Sequence, residues 1–203
     1  MNKKIILFDI DDTLVDKAKT KKNIVNFLLD YSDKTTEEIE AMMENFLDRS
    51  DGSKDFMIGE FIQSVMGDEN FRKFDINNPE IYKGILFEDT LPVLEKLKES
   101  NQIMGTYTQG YVDFQKAKIR FSGINDFFDK NLIYVSPDKL EPNFVKTLPN
   151  SAIVIDDKKR VIETLRQLRP DLELVWINRK NEEKIEAPQI KTIKGLDELL
   201  AMN

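Results

Sequence analysis

Asp9 and Asp11 stand two residues apart at the end of an apolar run, Ile5-Ile6-Leu7-Phe8. In an extended backbone, side chains at that spacing leave on one side. Two carboxylates held together repel unless a proton or a cation reconciles them. A divalent metal with oxygen ligands does so; an acidic turn closing a core strand is the plainer alternative. Three further polar signals also follow an apolar run: Thr108 with Gln109 and Gly110, then Lys139, then Asp156-Asp157. Carboxylates from Asp9, Asp11, Asp156 and Asp157 can hold Mg2+ and present one nucleophile. The Thr108 hydroxyl, with the backbone amides of Gln109 and Gly110 at a helix start, can cradle a phosphate. The Lys139 ammonium can neutralise charge shared by the nucleophile and a transferring phosphoryl group.

Composition narrows the alternatives. The 203 residues include no cysteine and no histidine. Disulfides, thiol nucleophiles, zinc sites with cysteine or histidine ligands, Ser-His-Asp triads and imidazole acid–base catalysis are therefore excluded. Proton transfer falls to carboxylates, lysines, tyrosines or a metal-bound water. A net charge of −7 argues against a general nucleic-acid binder. The run Ile5–Phe8 is too short for a signal peptide, and no other run approaches transmembrane length. The expectation is a cytoplasmic protein, a monomer or homodimer, with neither membrane nor nucleic acid as partner.

For the four signals to meet, the chain must build an open parallel sheet. Ile5–Phe8 reads as a strand buried on both faces. From Asp16 the texture turns helical. Ile24, Val25, Phe27, Leu28 and Tyr31 recur at helical spacing, and Thr35-Thr36-Glu37-Glu38 predicts a capping box for a helix through about Leu47. Asp51-Gly52-Ser53 reads as a turn. Asp55 reads as the cap of a third helix, carrying Phe56 to Met66 and ended by Gly67. A short helix through Tyr82 follows Asn78-Pro79. The lysines from Lys17 to Lys22 form either a solvated face or an electropositive rim near an anionic substrate.

From Ile85 onward strands and helices alternate. Helices are expected over Asp89–Glu99, Val112–Phe121, Asn143–Thr147 and Arg160–Leu168, and a terminal helix from Gly195. Strands are expected over Ile103–Tyr107, Leu132–Val135, Ala152–Ile155 and Leu172–Ile177, the last of the set. Alternation of this kind implies a parallel sheet covered on both sides, with the first strand joining it. All strand ends then face one way, and the four signals converge there. Residues 1–15 and 84–203 form this core, and 16–83 are an all-helical insertion after its first strand.

The residues carry a resemblance. Asp9-Ile10-Asp11-Asp12-Thr13-Leu14 resembles the first motif of the haloacid dehalogenase-like (HAD) superfamily. Thr108 resembles the Ser/Thr of the second motif, Lys139 the lysine of the third, and Ile155-Asp156-Asp157 the paired-acid form of the fourth. Ser122 to Asp129 is similar to the stretch between the second and third motifs. Where family members usually have Lys-Pro, this chain has Lys139-Leu140, followed by the familiar Glu141-Pro142-Asn143-Phe144. The resemblance implies a three-layer α/β/α Rossmann-like core with a small all-helical cap. It implies hydrolysis of a small phosphorylated metabolite: Asp9 attacks phosphorus, and Asp11, protonated, serves the leaving oxygen and then the water. Mg2+ would be held by Asp9, the Asp11 carbonyl and Asp157, with Asp156 a second ligand or the orienter of Lys139. Thr13 would hold the motif loop by hydrogen bonds, and Asp12 would be solvated. Aspartate at position 11 favours a phosphatase over carbon–halogen cleavage. Two other readings remain open, a phosphotransferase or mutase on this scaffold and a phospho-receiver signalling domain.

Overall fold

In the computed structural model, which describes residues 3–46, 58–72, 74–180 and 183–202, Ile5–Phe8 forms β1 near the middle of the sheet. It pairs in parallel with β2 (Ile103–Gln109) on one side and β4 (Ile153–Asp156) on the other. β3 (Ile133–Ser136) lies outside β2, and β5 (Glu173–Ile177) and β6 (Ile190–Ile193) lie outside β4. The order is β3-β2-β1-β4-β5-β6, every pair parallel. Strand order reverses between β1 and β4, where open α/β sheets form a crevice at their carboxyl ends. The acids that follow β1 and end β4 flank that crevice.

Strand alternation makes the layers. Ile6, Phe8, Ile155, Val175 and Ile177 face one side, against α4 (Thr90–Glu99), α5 (Val112–Phe121) and a terminal 3-10 segment, Leu196–Met202. Leu7, Val154, Leu174 and Trp176 face the other, against α6 (Pro142–Lys146) and α7 (Lys159–Leu168). The four inner strands β1, β2, β4 and β5 thus bury both faces, whereas β3 and β6 at the edges are only partly covered.

Between β1 and α4 come α1 (Lys17–Leu29), α2 (Thr36–Asn45), α3 (Ile58–Phe71) and a 3-10 turn, Pro79–Tyr82. Asp16 caps α1 by accepting from the Ala18 and Lys19 amides. The capping box of α2 is complete: Thr35 accepts from the Glu38 amide, and Glu38 accepts from the Thr35 amide at 2.8 Å. Gly67, with φ 72°, breaks the helical backbone inside α3, a conformation that suits a residue without Cβ. Leu47, Asp51-Gly52-Ser53, Asp55 and Phe56 lie outside the described residues. The chain leaves and re-enters the core side by side. The Asp16 amide donates to Ile85 O at 2.8 Å and the Phe87 amide to Leu14 O at 3.1 Å, around an antiparallel bridge between Val15 and Leu86. No helix among the described residues is long and apolar enough to cross a membrane.

Four elements differ from the sequence expectation, the first being α3, which runs past Gly67 to Phe71. β2 runs two residues further, to Gln109, because β3 supplies pairing partners for Thr108 and Gln109. A sixth strand, Ile190–Ile193, pairs with β5, so Leu172–Ile177 does not contain the last strand. With four residues and a single neighbour, it has too short a pattern to stand out. The terminal helix is a 3-10 segment.

Candidate active site

β1 ends at Phe8, but the Asp9 amide continues its ladder by donating to Ile155 O at 2.9 Å. This fixes the buried Asp9 side chain at the crevice between β1 and β4. Asp12 then takes φ 61°, a left-handed conformation that aspartate tolerates better than most residues. The turn closes on one acceptor: the amides of Thr13, Leu14 and Val15 all donate to Ile10 O. Backbone bonds, not the Thr13 hydroxyl, hold this loop, for Thr13 Oγ1 is buried without a partner. The Thr13 carbonyl accepts from Arg179 Nη2 at 2.9 Å instead.

Lys139 is completely buried. Its Nζ donates to Asp9 Oδ1 at 2.7 Å and to Asp156 Oδ2 at 2.5 Å. Its carbonyl accepts a short bond from the Tyr107 hydroxyl. Burial alone would push the ammonium down; Asp156 and Asp9 outweigh it and hold Lys139 above the usual lysine range. Leu140, standing where the resemblance leads one to expect proline, keeps its amide hydrogen and donates to Asp138 Oδ1 at 3.0 Å, tightening the turn that presents Lys139.

The paired acids divide. Asp156 has both oxygens engaged: Oδ2 by Lys139, and Oδ1 by the Lys158 amide at 2.9 Å. Asp157 is anchored through its carbonyl, which accepts from Trp176 Nε1 at 2.8 Å, while its Oδ1 is buried and has no partner. One oxygen each from Asp9, Asp156 and Asp157 lies within 4.8 Å of the others. Burial first, then Asp9 and Asp156, pushes Asp157 up to about 8. Burial, opposed by Lys139, pushes Asp156 to about 6. Crowded carboxylates with an orphaned oxygen are a donor set suited to a hard divalent cation, so the residues fit the metal that the sequence led one to expect.

These shifts carry a stability consequence. Both carboxyl groups have folded values above the ordinary 3.8. The folded state therefore binds more protons than the unfolded one, and stability falls as pH rises from about 4 through about 8. The Tm in EDTA should be higher at pH 6 than at pH 8.5, by roughly 4–8 °C for at least about 2 kcal/mol. Mg2+ requires ionised ligands, so its stabilising effect should grow over the same interval. A flat Tm between the two pH values would contradict the crowding seen here.

Thr108 is buried in β2 with its hydroxyl unpartnered. The Gly110 amide, expected to help cradle phosphate, donates to Ser136 O at 2.9 Å, and the Gln109 carbonyl accepts from Gln115. α5 begins only at Val112, so no helix N-terminus opens at Gln109 or Gly110. Of the groups expected to cradle phosphate, the Gly110 amide is thus taken by β3, whereas the Thr108 hydroxyl has no partner.

Asp11 also departs from expectation. Its carboxylate is not among the three acids that share the 4.8 Å cluster. Lys118 Nζ donates to both Asp11 oxygens, at 2.6 and 2.7 Å, and Gln115 donates to Oδ2 at 3.0 Å. Burial would raise Asp11, but the Lys118 charge and these bonds hold it below its usual value, ionised rather than protonated. Asp12 is tied to Lys180 at 3.2 Å, not simply solvated.

Sequence reasoning missed Gln115 and Arg179, and weighed Lys118, with Lys116 and Lys158, only as an alternative to Lys139. Lys118 reads as a surface lysine, yet it is 3% exposed. Its place on the stripe with Phe114 and Gln115 was the available signal. Arg179 grips Asp89 through two bonds of 2.9 and 3.0 Å and lies over the Phe87 ring at 4.0 Å. Only its position after a strand end could have marked it. These residues open onto a cavity of about 730 Å3, bounded on the far side by Lys17, Lys21, Ile24 and Met43 of α1 and α2. Part of the lysine run therefore lines the cavity.

A family model described as haloacid dehalogenase-like hydrolase matches residues 3–153. Among solved structures, a HAD phosphatase from Thermococcus onnurineus is similar at TM-score 0.66 and 21% identity, covering 99% of this chain and 97% of that one. YfnB from Bacillus subtilis, described as a HAD-hydrolase bound to magnesium, is similar at TM-score 0.66 and 16% identity, covering 100% of this chain and 99% of that one. A 2-haloacid dehalogenase from Pseudomonas syringae pv. Tomato DC3000 is similar at TM-score 0.62 and 18% identity, covering 98% and 97%. At these identities the likeness shows the fold alone. No curated protein matches the sequence.

Proposed function

The chain belongs to the haloacid dehalogenase-like hydrolase family, and from that premise we propose that it is a Mg2+-dependent phosphatase acting on a small phosphorylated metabolite. One observation carries the reading. The Asp9 carboxylate shares a cluster with Asp157, whose Oδ1 is buried without a partner, while buried Lys139 bridges Asp9 and Asp156. A nucleophile so surrounded suits an anionic phosphoryl group. Aspartate at position 11 supports phosphate over halide chemistry.

An Asp9 oxygen attacks phosphorus; the Asp9–phosphorus bond forms as the ester bond breaks, and the leaving oxygen takes a proton from solvent water. Water then attacks phosphorus, Asp11 takes its proton, and Asp9 is released with inorganic phosphate. Lys139 stays paired through both halves and offsets charge on Asp9 and the phosphoryl oxygens. The Thr108 hydroxyl donates to one of those oxygens. Asp9, Asp157 and the Asp11 carbonyl, with Asp156 beside them, would hold a divalent cation, which would supply charge neutralisation. Residues 16–83 act as a cap: α1 and α2 roof the cavity and exclude bulk water, and Lys17 and Lys21 favour an anionic substrate.

The test is phosphate release from 4-nitrophenyl phosphate with Mg2+, after EDTA, and after Mg2+ is restored. We expect activity, loss of at least about 10²-fold, and recovery. Activity unchanged by EDTA would rule the reading out.

A further inference from the structure

α5 turns two polar side chains inward that the catalytic steps above leave without a role. Gln115 and Lys118 are three residues apart, so both reach the same face of the helix. Each is 3% exposed. Lys118 spans both Asp11 oxygens at 2.6 and 2.7 Å, and its ammonium lies 4.3 Å from the centre of the Phe114 ring. Gln115 Nε2 donates at 3.0 Å both to Asp11 Oδ2 and to the Gln109 carbonyl, tying Asp11 to the end of β2. Space for Gln115 exists because residue 110 is glycine: with φ 137°, any Cβ there would lie 2.8 Å from Gln115 Nε2. A buried ammonium is costly without partners, so this lysine is fixed where it sits.

We propose that Lys118, assisted by Gln115, is a positioning residue that holds the Asp11 carboxylate at the cavity wall as the base for the second half-reaction. This rests on the phosphatase reading. Three bonds to one carboxylate remove its freedom to turn and keep its oxygens at the cavity wall. The aspartyl phosphate at Asp9 is then cleaved by the attacking water: a new oxygen–phosphorus bond forms as the bond from phosphorus to the Asp9 oxygen breaks, the water's proton passes to Asp11 and its oxygen leaves in phosphate. Without the clasp the first half-reaction still proceeds, while the second slows.

The experiment uses the full chain and 4-nitrophenyl phosphate. Lys118→Met should lower kcat by about 10²-fold, within the range for a lost acid–base contribution. KM should fall with it, and a burst of nitrophenol approaching one per enzyme should appear, matched by acid-stable incorporation of phosphate on the protein. Gln115→Leu should shift the same way by less. An unchanged kcat, or a loss without burst or trapped phosphate, overturns the proposal. If the wild type releases no phosphate, the phosphatase reading fails, and the clasp is judged by stability. Lys118→Met should then lower Tm by roughly 4–8 °C, and Asp11→Asn with Lys118→Met should recover at least about half of that loss. Additive Tm shifts overturn the clasp itself.

Discussion

Asp9→Asn is expected to reduce phosphate release by on the order of 10⁴–10⁶-fold, the scale seen when an attacking group is removed. The neutral amide presents no anionic oxygen to phosphorus, so the first bond cannot form. The fold should survive. Lys139 keeps Asp156 at 2.5 Å, and the Asp9 backbone bond to Ile155 does not involve the side chain. Removing one of three crowded carboxylates also relieves the pressure that Asp9 places on Asp157. The Tm of the metal-free variant at pH 8.5 should therefore equal or exceed that of the wild type. Single-turnover phosphate release and thermal melting on the same preparation check both halves. Activity within about tenfold of the wild type would place the nucleophile elsewhere.

Lys139→Met should damage stability and catalysis together. The methionine fits a buried, elongated space but leaves Asp9 and Asp156 without the ammonium that lies 2.7 and 2.5 Å from them. Breaking a buried pair by removing one partner costs about 3–5 kcal/mol. The cost should depend on pH. Burial already pushes Asp156 to about 6, and Lys139 is what restrains it. Without the lysine, Asp156 rises further, and its folded form retains a proton over more of the range. A carboxylate with a raised folded value keeps its stability at low pH and loses it as pH climbs through that value. Urea unfolding should thus show a small loss at pH 5 and a larger one at pH 8. Turnover should fall by about 10²–10³-fold, as when a charge-stabilising donor is lost. A pH-independent loss below about 1 kcal/mol would mean that Lys139 is not the counter-charge described here.

Much of the scaffold could be read from local pattern because local physics decides it. Four apolar residues ending in acids specify a buried parallel strand, and Thr35 with Glu38 closes the capping box that its spacing announces. The alternation after Ile85 requires a parallel sheet, and a parallel sheet requires its strand ends to gather. That argument alone brings Asp9, Asp156, Asp157 and Lys139 to one end, and there Lys139 bonds Asp9 and Asp156, with an Asp157 oxygen within 4.8 Å of theirs. β6 escaped because its pattern of four residues is ordinary, and what makes it a strand is the ladder that β5 offers.

The sequence by itself determined the chemical inventory: carboxylates, one threonine and lysines, in an order that a parallel sheet assembles, with no thiol or imidazole to compete. Only the tertiary structure decided how the charges pair. Lys139 lies between Asp9 and Asp156, Lys118 takes Asp11, and Asp157 keeps an oxygen without a partner. The physical reason is that an ion pair depends on separations of a few ångströms in a medium that screens poorly. Residues 107 positions apart in the chain can meet these conditions as readily as neighbours. Periodicity shows which way a side chain leaves its own element, but the partner it finds is set by the packing of all the others.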